Sequence, residues 1–186
     1  MEEAVQWMEN VCAGFSANPK EASDALMQFR ESERAIEASR VIIERSQLPL
    51  AQFHAACCLQ SAALKRWEAL GTGAHDELRA FVWNVCFTRG GALDRAVLNQ
   101  LLQALALFWK RAAAAAGGQQ QPWGPFLAGL LAAARDPATG EGQLFLSARA
   151  LAALVGEFGA TKSAAVGLPL AFHRRAHAAF QEEGLS

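Results

Sequence analysis

The chain has 186 residues, 17 basic and 18 acidic, with a net charge of −1 and 52% hydrophobic residues. That hydrophobic share is too high for a disordered chain, and the balanced charge excludes a general nucleic-acid or anionic-membrane binder, which needs a basic excess. No apolar run approaches the roughly 18–20 residues of a membrane span, and Met1-Glu2-Glu3 opens the chain without a signal-type apolar region.

Val5, Met8, Cys12 and Phe15 step by 3, 4 and 3, which predicts an amphipathic first helix. Asn18-Pro19 starts a second, over residues 19–30, with proline in its first turn and Ala22, Leu26 and Phe29 on its apolar side. Residues 33–45 form a third, with Ile36, Ile42 and Ile43, until Leu48-Pro49 breaks it. The fourth is long, residues 50–70. At 100° per residue, Phe53, Ala56, Cys57, Leu59, Ala63, Leu64 and Trp67 share one arc. His54, Cys58, Ser61 and Lys65 lie opposite, beside a stripe of Ala51, Ala55 and Ala62. Gly71-Thr72-Gly73 ends this helix.

Residues 76–88 form the fifth helix, carrying Leu78, Phe81, Val82, Val85 and Cys86, and Gly90-Gly91 is a turn. The sixth, residues 93–114, is the most apolar. On it Asn99, Gln103 and Lys110 occupy a narrow arc away from Leu101, Leu105 and Phe108. The alanine, glycine and glutamine tract at 112–122 reads as a low-complexity loop. Helices follow at 125–134 and 143–158, then a loop at 159–169 and a ninth helix at 170–180. No segment alternates as a strand would. The four cysteines, at 12, 57, 58 and 86, fall inside helical patterns and suggest no disulfide framework, so a reducing compartment is expected.

Aromatic residues close helices at Phe29, Trp67, Trp109 and Phe158, at steps of 38, 42 and 49 residues. Helix pairs recurring at about 40–47 residues are the signature of HEAT or armadillo repeats. The expected fold is therefore all-α: an α-solenoid of HEAT-like antiparallel hairpins, about four repeats plus one unpaired helix. Phe53, Leu64, Trp67, Phe81, Val85, Leu101, Leu105 and Leu151 should lie buried between neighbours. A stack ends in a capping repeat with a polar outer face. The last helix, with Leu170, Phe172, Ala176 and Phe180, reads instead as the start of a further repeat, so the chain is expected to be the front of something longer.

Several residue groups invite a chemical reading. His173 and His177 stand at i and i+4 on one helical face, but a zinc site needs three or four ligands, and Glu182 or Glu183 could join only if the helix bent back. A solvated face is the expected role of this pair; a small metallohydrolase is the enzyme reading it would otherwise support. Cys57-Cys58 lies near His54, yet only Cys58 shares its side, and a helix-packing pair is expected rather than a nucleophile. Thr161 stands before Lys162 where a phosphate-binding loop requires glycine, and no strand precedes it. No catalytic residue, cofactor or metal is expected. Lys65-Arg66 and Lys110-Arg111 each flank a helix-ending tryptophan. They either answer the helix dipole or form a ridge repeated in register for a partner.

The stretch from Ala22 to Trp67 resembles the N-terminal module of the importin-β or karyopherin family: a helix ending in an aromatic, Phe29; an Ala55-Ala56-Cys57-Cys58-Leu59 run; then Trp67. Many family members have Leu-Lys-Asn where this chain has Leu59-Gln60-Ser61. A second block is similar to the exportin branch. It comprises Leu154, Glu157-Phe158, Lys162, Gly167-Leu168, Phe172-His173 and Phe180-Gln181-Glu182-Glu183, with Gln100, Ala104 and Lys110-Arg111 upstream. The resemblance implies residues 1–68 as the importin-β N-terminal-like module, holding repeats 1 and 2, and residues 69–186 as further repeats. It implies a nuclear transport receptor that shuttles between nucleus and cytoplasm and binds Ran in its GTP form by the inner helix of each hairpin. Implied partners also include nuclear pore proteins and protein cargo such as a hypusine-bearing translation factor or Smad proteins, with no nucleic acid and no membrane insertion. Taken with the polar arcs, it makes His54, Ser61, Lys65, Asn99, Gln103 and Lys110 the candidate Ran-binding residues. The other reading of the same pattern is a generic helical-repeat interaction scaffold unrelated to transport.

Overall fold

A computed structural model describes residues 2–115, 124–135, 140–159 and 167–184. Among these residues the secondary structure is helical, with no strand. The helices are α1 (Glu2–Gly14), α2 (Pro19–Glu31), α3 (Ala35–Arg45), α4 (Pro49–Lys65), α5 (Thr72–Arg89), α6 (Arg95–Ala115), α7 (Gly124–Arg135), α8 (Glu141–Phe158) and α9 (Leu170–Gly184). Sequence neighbours pack as pairs, α1 with α2, α3 with α4, α5 with α6 and α7 with α8. The second helices touch one another in a row, α2 to α4, α4 to α6 and α6 to α8, while α9 lies on α6 and α8. This is an all-α stack of helix pairs, compatible with a helical-repeat fold.

Local chemistry sets the helix starts. Asn18 caps α2: its Oδ1 accepts from the Glu21 amide at 3.4 Å, its Nδ2 donates to the Glu21 carboxylate at 2.8 Å, and Pro19 opens the first turn. Packing sets the middle. α4 is gripped by both α3 and α6, so Ala51, Ala55, Cys58 and Ala62 are as buried as Ala56, Leu59 and Ala63. The alanine stripe is thus a second core face, because small side chains admit a close neighbour. The cysteines consequently exchange roles relative to the wheel: Cys58 is 2% exposed, whereas Cys57 is half-buried. All four cysteines are free thiols. Burial pushes the thiols of Cys57 and Cys58 up, so neither is an activated nucleophile.

α6 is the central helix, with neighbours α4, α5, α8 and α9. Val97, Leu98, Leu101, Leu102, Leu105 and Phe108 are all buried on it, each such side chain contributing about 1.5–3 kcal/mol. They belong to a core that runs from α1 to α8. A smaller cluster joins Ala106 and Ala113 of α6 to Leu154 and Phe158 of α8 and to Ala176 and Phe180 of α9.

Other sequence expectations change at element ends and in burial, and α5 starts at Thr72, inside the expected glycine break, rather than at 76. α4 stops at Lys65, because Arg66 leaves helical geometry (φ −122°), and Trp67–Ala69 form a 3-10 turn that buries the indole. α6 ends at Ala115, one residue past its expected end and inside the alanine-rich start of the 112–122 tract, since alanine is the best helix former; residues 116–123 lie outside the described residues, as do 160–166 of the second expected loop. Trp67, Phe81, Val85, Leu101 and Leu105 are buried, whereas Phe53, Leu64 and Leu151 pack on the core while only partly buried.

Candidate partner-binding face

The helix ends carry the cations, and those cations reach backward along the stack. Arg66, just after α4, donates through Nη1 to the carbonyl of Ser32, just after α2, at 2.8 Å. Arg111, in the last turns of α6, donates from Nε to the Ala63 carbonyl at 2.9 Å and from Nη2 to the Leu64 carbonyl at 2.8 Å, both in the last turn of α4. Arg89 of α5 does the same for the Ile43 and Glu44 carbonyls of α3, at 3.3 and 3.0 Å. The last carbonyls of a helix have no partner within it and carry partial negative charge. These arginines satisfy them from the following pair, so the charge answers the dipole of a neighbouring helix rather than that of its own.

The lysine of each basic dipeptide has a separate fate. Lys65 is exposed and Ser61, one turn earlier, is half-buried. Both line an open groove of about 440 Å³ with Met27, Arg30 and Glu31 of α2 and with Arg66. Lys110 is 1% exposed. Its ammonium donates to the backbone carbonyl of Glu157, to Glu157 Oε1 at 3.1 Å and to His173 Nδ1 at 2.8 Å, and it stands 5.7 Å from the centre of the Phe158 ring. Burial pulls its pKa down, against the opposing pull of the Glu157 carboxylate. Lys110 was expected on an open polar arc. It instead ties α6 to α8 and α9, because α9 covers that end of the arc.

The other expected contact residues divide similarly. On α6, Gln103 is exposed and Asn99 half-buried, and the neighbouring Gln100 donates to Gln60 Oε1 of α4 at 2.7 Å. His54 is half-buried, stacked on Phe15 with ring centres 5.6 Å apart and 10° between planes. Its Nδ1 is buried without a hydrogen-bond partner. Burial first, and Arg30 second, pull its pKa down. Ser61 and Lys65 on α4 and Asn99 and Gln103 on α6 thus remain at least partly open. Met27, Arg30 and Glu31 were absent from the sequence-based set, since nothing in α2 alone shows that they border the end of α4.

The histidine pair on α9 has partners. His173 Nδ1 lies 2.8 Å from the Lys110 ammonium. His177 Nδ1 donates to the Phe158 carbonyl at 2.8 Å, at the end of α8. The two rings fasten α9 to its neighbours. Among the described residues no group of three or more His, Cys, Asp or Glu side chains could hold a metal ion; the side chains of Glu182 and Glu183 lie outside that description, as does the Thr161-Lys162 segment. Among the described residues no helix is long and apolar enough to cross a membrane.

Neither a scan of protein-family models nor a search of curated proteins finds a match to this chain.

Proposed function

We propose that the chain forms the N-terminal repeats of a nuclear transport receptor resembling exportin-4 of the karyopherin family. In this reading it engages Ran in its GTP form, contributes to nuclear export of protein cargo and has no catalytic activity. The observation that supports the reading is the row of second helices α2, α4, α6 and α8. Such a row repeats one helical face along the stack. On α4 and α6, Ser61, Lys65, Asn99 and Gln103 stay at least partly open, as polar side chains that core packing does not require. Lys110 is withdrawn from this contact set because it is enclosed. Cargo such as a hypusine-bearing translation factor or Smad proteins, and nuclear pore contacts, follow from the resemblance to the family and belong to the whole receptor. Shuttling between nucleus and cytoplasm is the matching location.

Receptors of this kind grip Ran through several linked regions, and linkage multiplies affinity by about 10²–10⁴. The 186-residue chain is therefore expected to bind Ran weakly or undetectably. The test is interferometry with immobilised Ran loaded either with a non-hydrolysable GTP analogue or with GDP. Binding at least tenfold stronger to the GTP form, reduced by Gln103→Ala, is the expected result. Equal binding to both forms contradicts the reading.

A further inference from the structure

The groove between the ends of α2 and α4 gathers three cations, Arg30, Lys65 and Arg66, around a single carboxylate, Glu31. Among the described residues these cations have no ion-pair partner, although Arg40, Arg45, Arg79, Lys110 and Arg111 elsewhere each have one. Arg66 uses one nitrogen on the Ser32 carbonyl. Arg30 has a buried Nε with no hydrogen-bond partner. Beside them Met27 is 57% exposed, an apolar side chain at the edge of a charged groove. Helix-end dipoles explain why cations collect here, but they do not explain unpaired donors next to an uncovered methionine.

We propose that this groove is a docking site for an acidic peptide segment of a partner protein, with an apolar side chain of that segment resting on Met27. The excess of two positive charges favours carboxylates. A volume of about 440 Å³ accepts a few side chains of an extended segment. Glu31 inside the groove and the balanced charge of the whole chain disfavour a continuous polyanion such as a nucleic acid, which needs a longer basic track. Methionine is suited to this role because its flexible thioether adapts to different apolar partners. The inference goes beyond the transport reading and stands without it, since its test contains no Ran.

The probe is a fluorescein-labelled heptapeptide, Asp-Glu-Asp-Leu-Glu-Asp-Glu, titrated by fluorescence anisotropy at low salt against the full chain. Its controls are the Asn/Gln analogue and a twelve-residue oligothymidylate. Lys65→Glu is expected to weaken the acidic peptide at least fivefold and Met27→Ser about threefold, both with unchanged melting temperature. Lys20→Glu, an equal charge change at the far end of α2, should leave affinity within twofold. The neutral analogue should not bind. The proposal is overturned if Lys20→Glu weakens binding as much as Lys65→Glu, if the oligothymidylate binds as tightly and with the same Lys65 dependence, or if the acidic peptide does not bind.

Discussion

The basic pairs at the ends of α4 and α6 look alike in sequence and differ in use. Lys65-Arg66 and Lys110-Arg111 both sit beside a tryptophan, Trp67 or Trp109, and both arginines donate to carbonyls at the end of the preceding second helix. Lys65 faces an open groove, whereas Lys110 is enclosed by Glu157 of α8 and His173 of α9. What depends on the preceding helix pair is the same at both ends. What depends on the helices that follow differs, and only Lys110-Arg111 has α9 laid across it.

The largest effect that sharpens this contrast belongs to Lys110. Lys110→Ala removes a buried ammonium that joins three helices, and breaking a buried pair by deleting one member costs about 3–5 kcal/mol. Urea denaturation followed by circular dichroism should show a loss of that size. A cycle with Glu157→Gln should then return a coupling of about 0.5–3 kcal/mol. A loss below about 1 kcal/mol in the single variant would mean that α9 does not depend on this junction.

The arginines come next. Arg111→Ala deletes two charge-assisted bonds to α4 and should cost about 1.5–3 kcal/mol, with Arg66→Ala, which deletes one bond, costing less. The order of the two melting temperatures checks this, and a reversed order would break the parallel between the pairs. Lys65→Ala should be the mildest change, within about 0.5 kcal/mol of wild type, as for a surface residue away from special features. A larger cost in the isolated chain would show that Lys65 has an internal partner.

Much of the fold was legible because the apolar spacing of α1, α2 and α8 is local information, and Asn18-Pro19 marks its boundary by its own chemistry. The errors fell where a neighbour decides the outcome. Ala51, Ala55 and Ala62 read only as a small-residue stripe outside the main apolar arc, and the packing of α4 against both α3 and α6 makes them core. α4 looked longer because Trp67 continues the apolar spacing, although it reaches the core from a 3-10 turn. In the candidate face, Ser61, Lys65, Asn99 and Gln103 were readable on single wheels, and their neighbours leave them at least partly open. Lys110 was not, since its partners lie 47 and 63 residues along the chain. Arg30 and Met27 were missed for the same reason, as their groove exists only once α2 meets α4.

The most direct test of the contrast is lysine footprinting of the folded chain with an amine-reactive acylating reagent, read by mass spectrometry over time. Exposed Lys65 should react at the rate of an open lysine. Lys110 should react only through local opening that lifts α9, at least about a hundredfold more slowly, and should match Lys65 once urea unfolds the chain. Similar rates at the two lysines in the folded chain would contradict the account, because Lys110 would then share the open face it is held to have left.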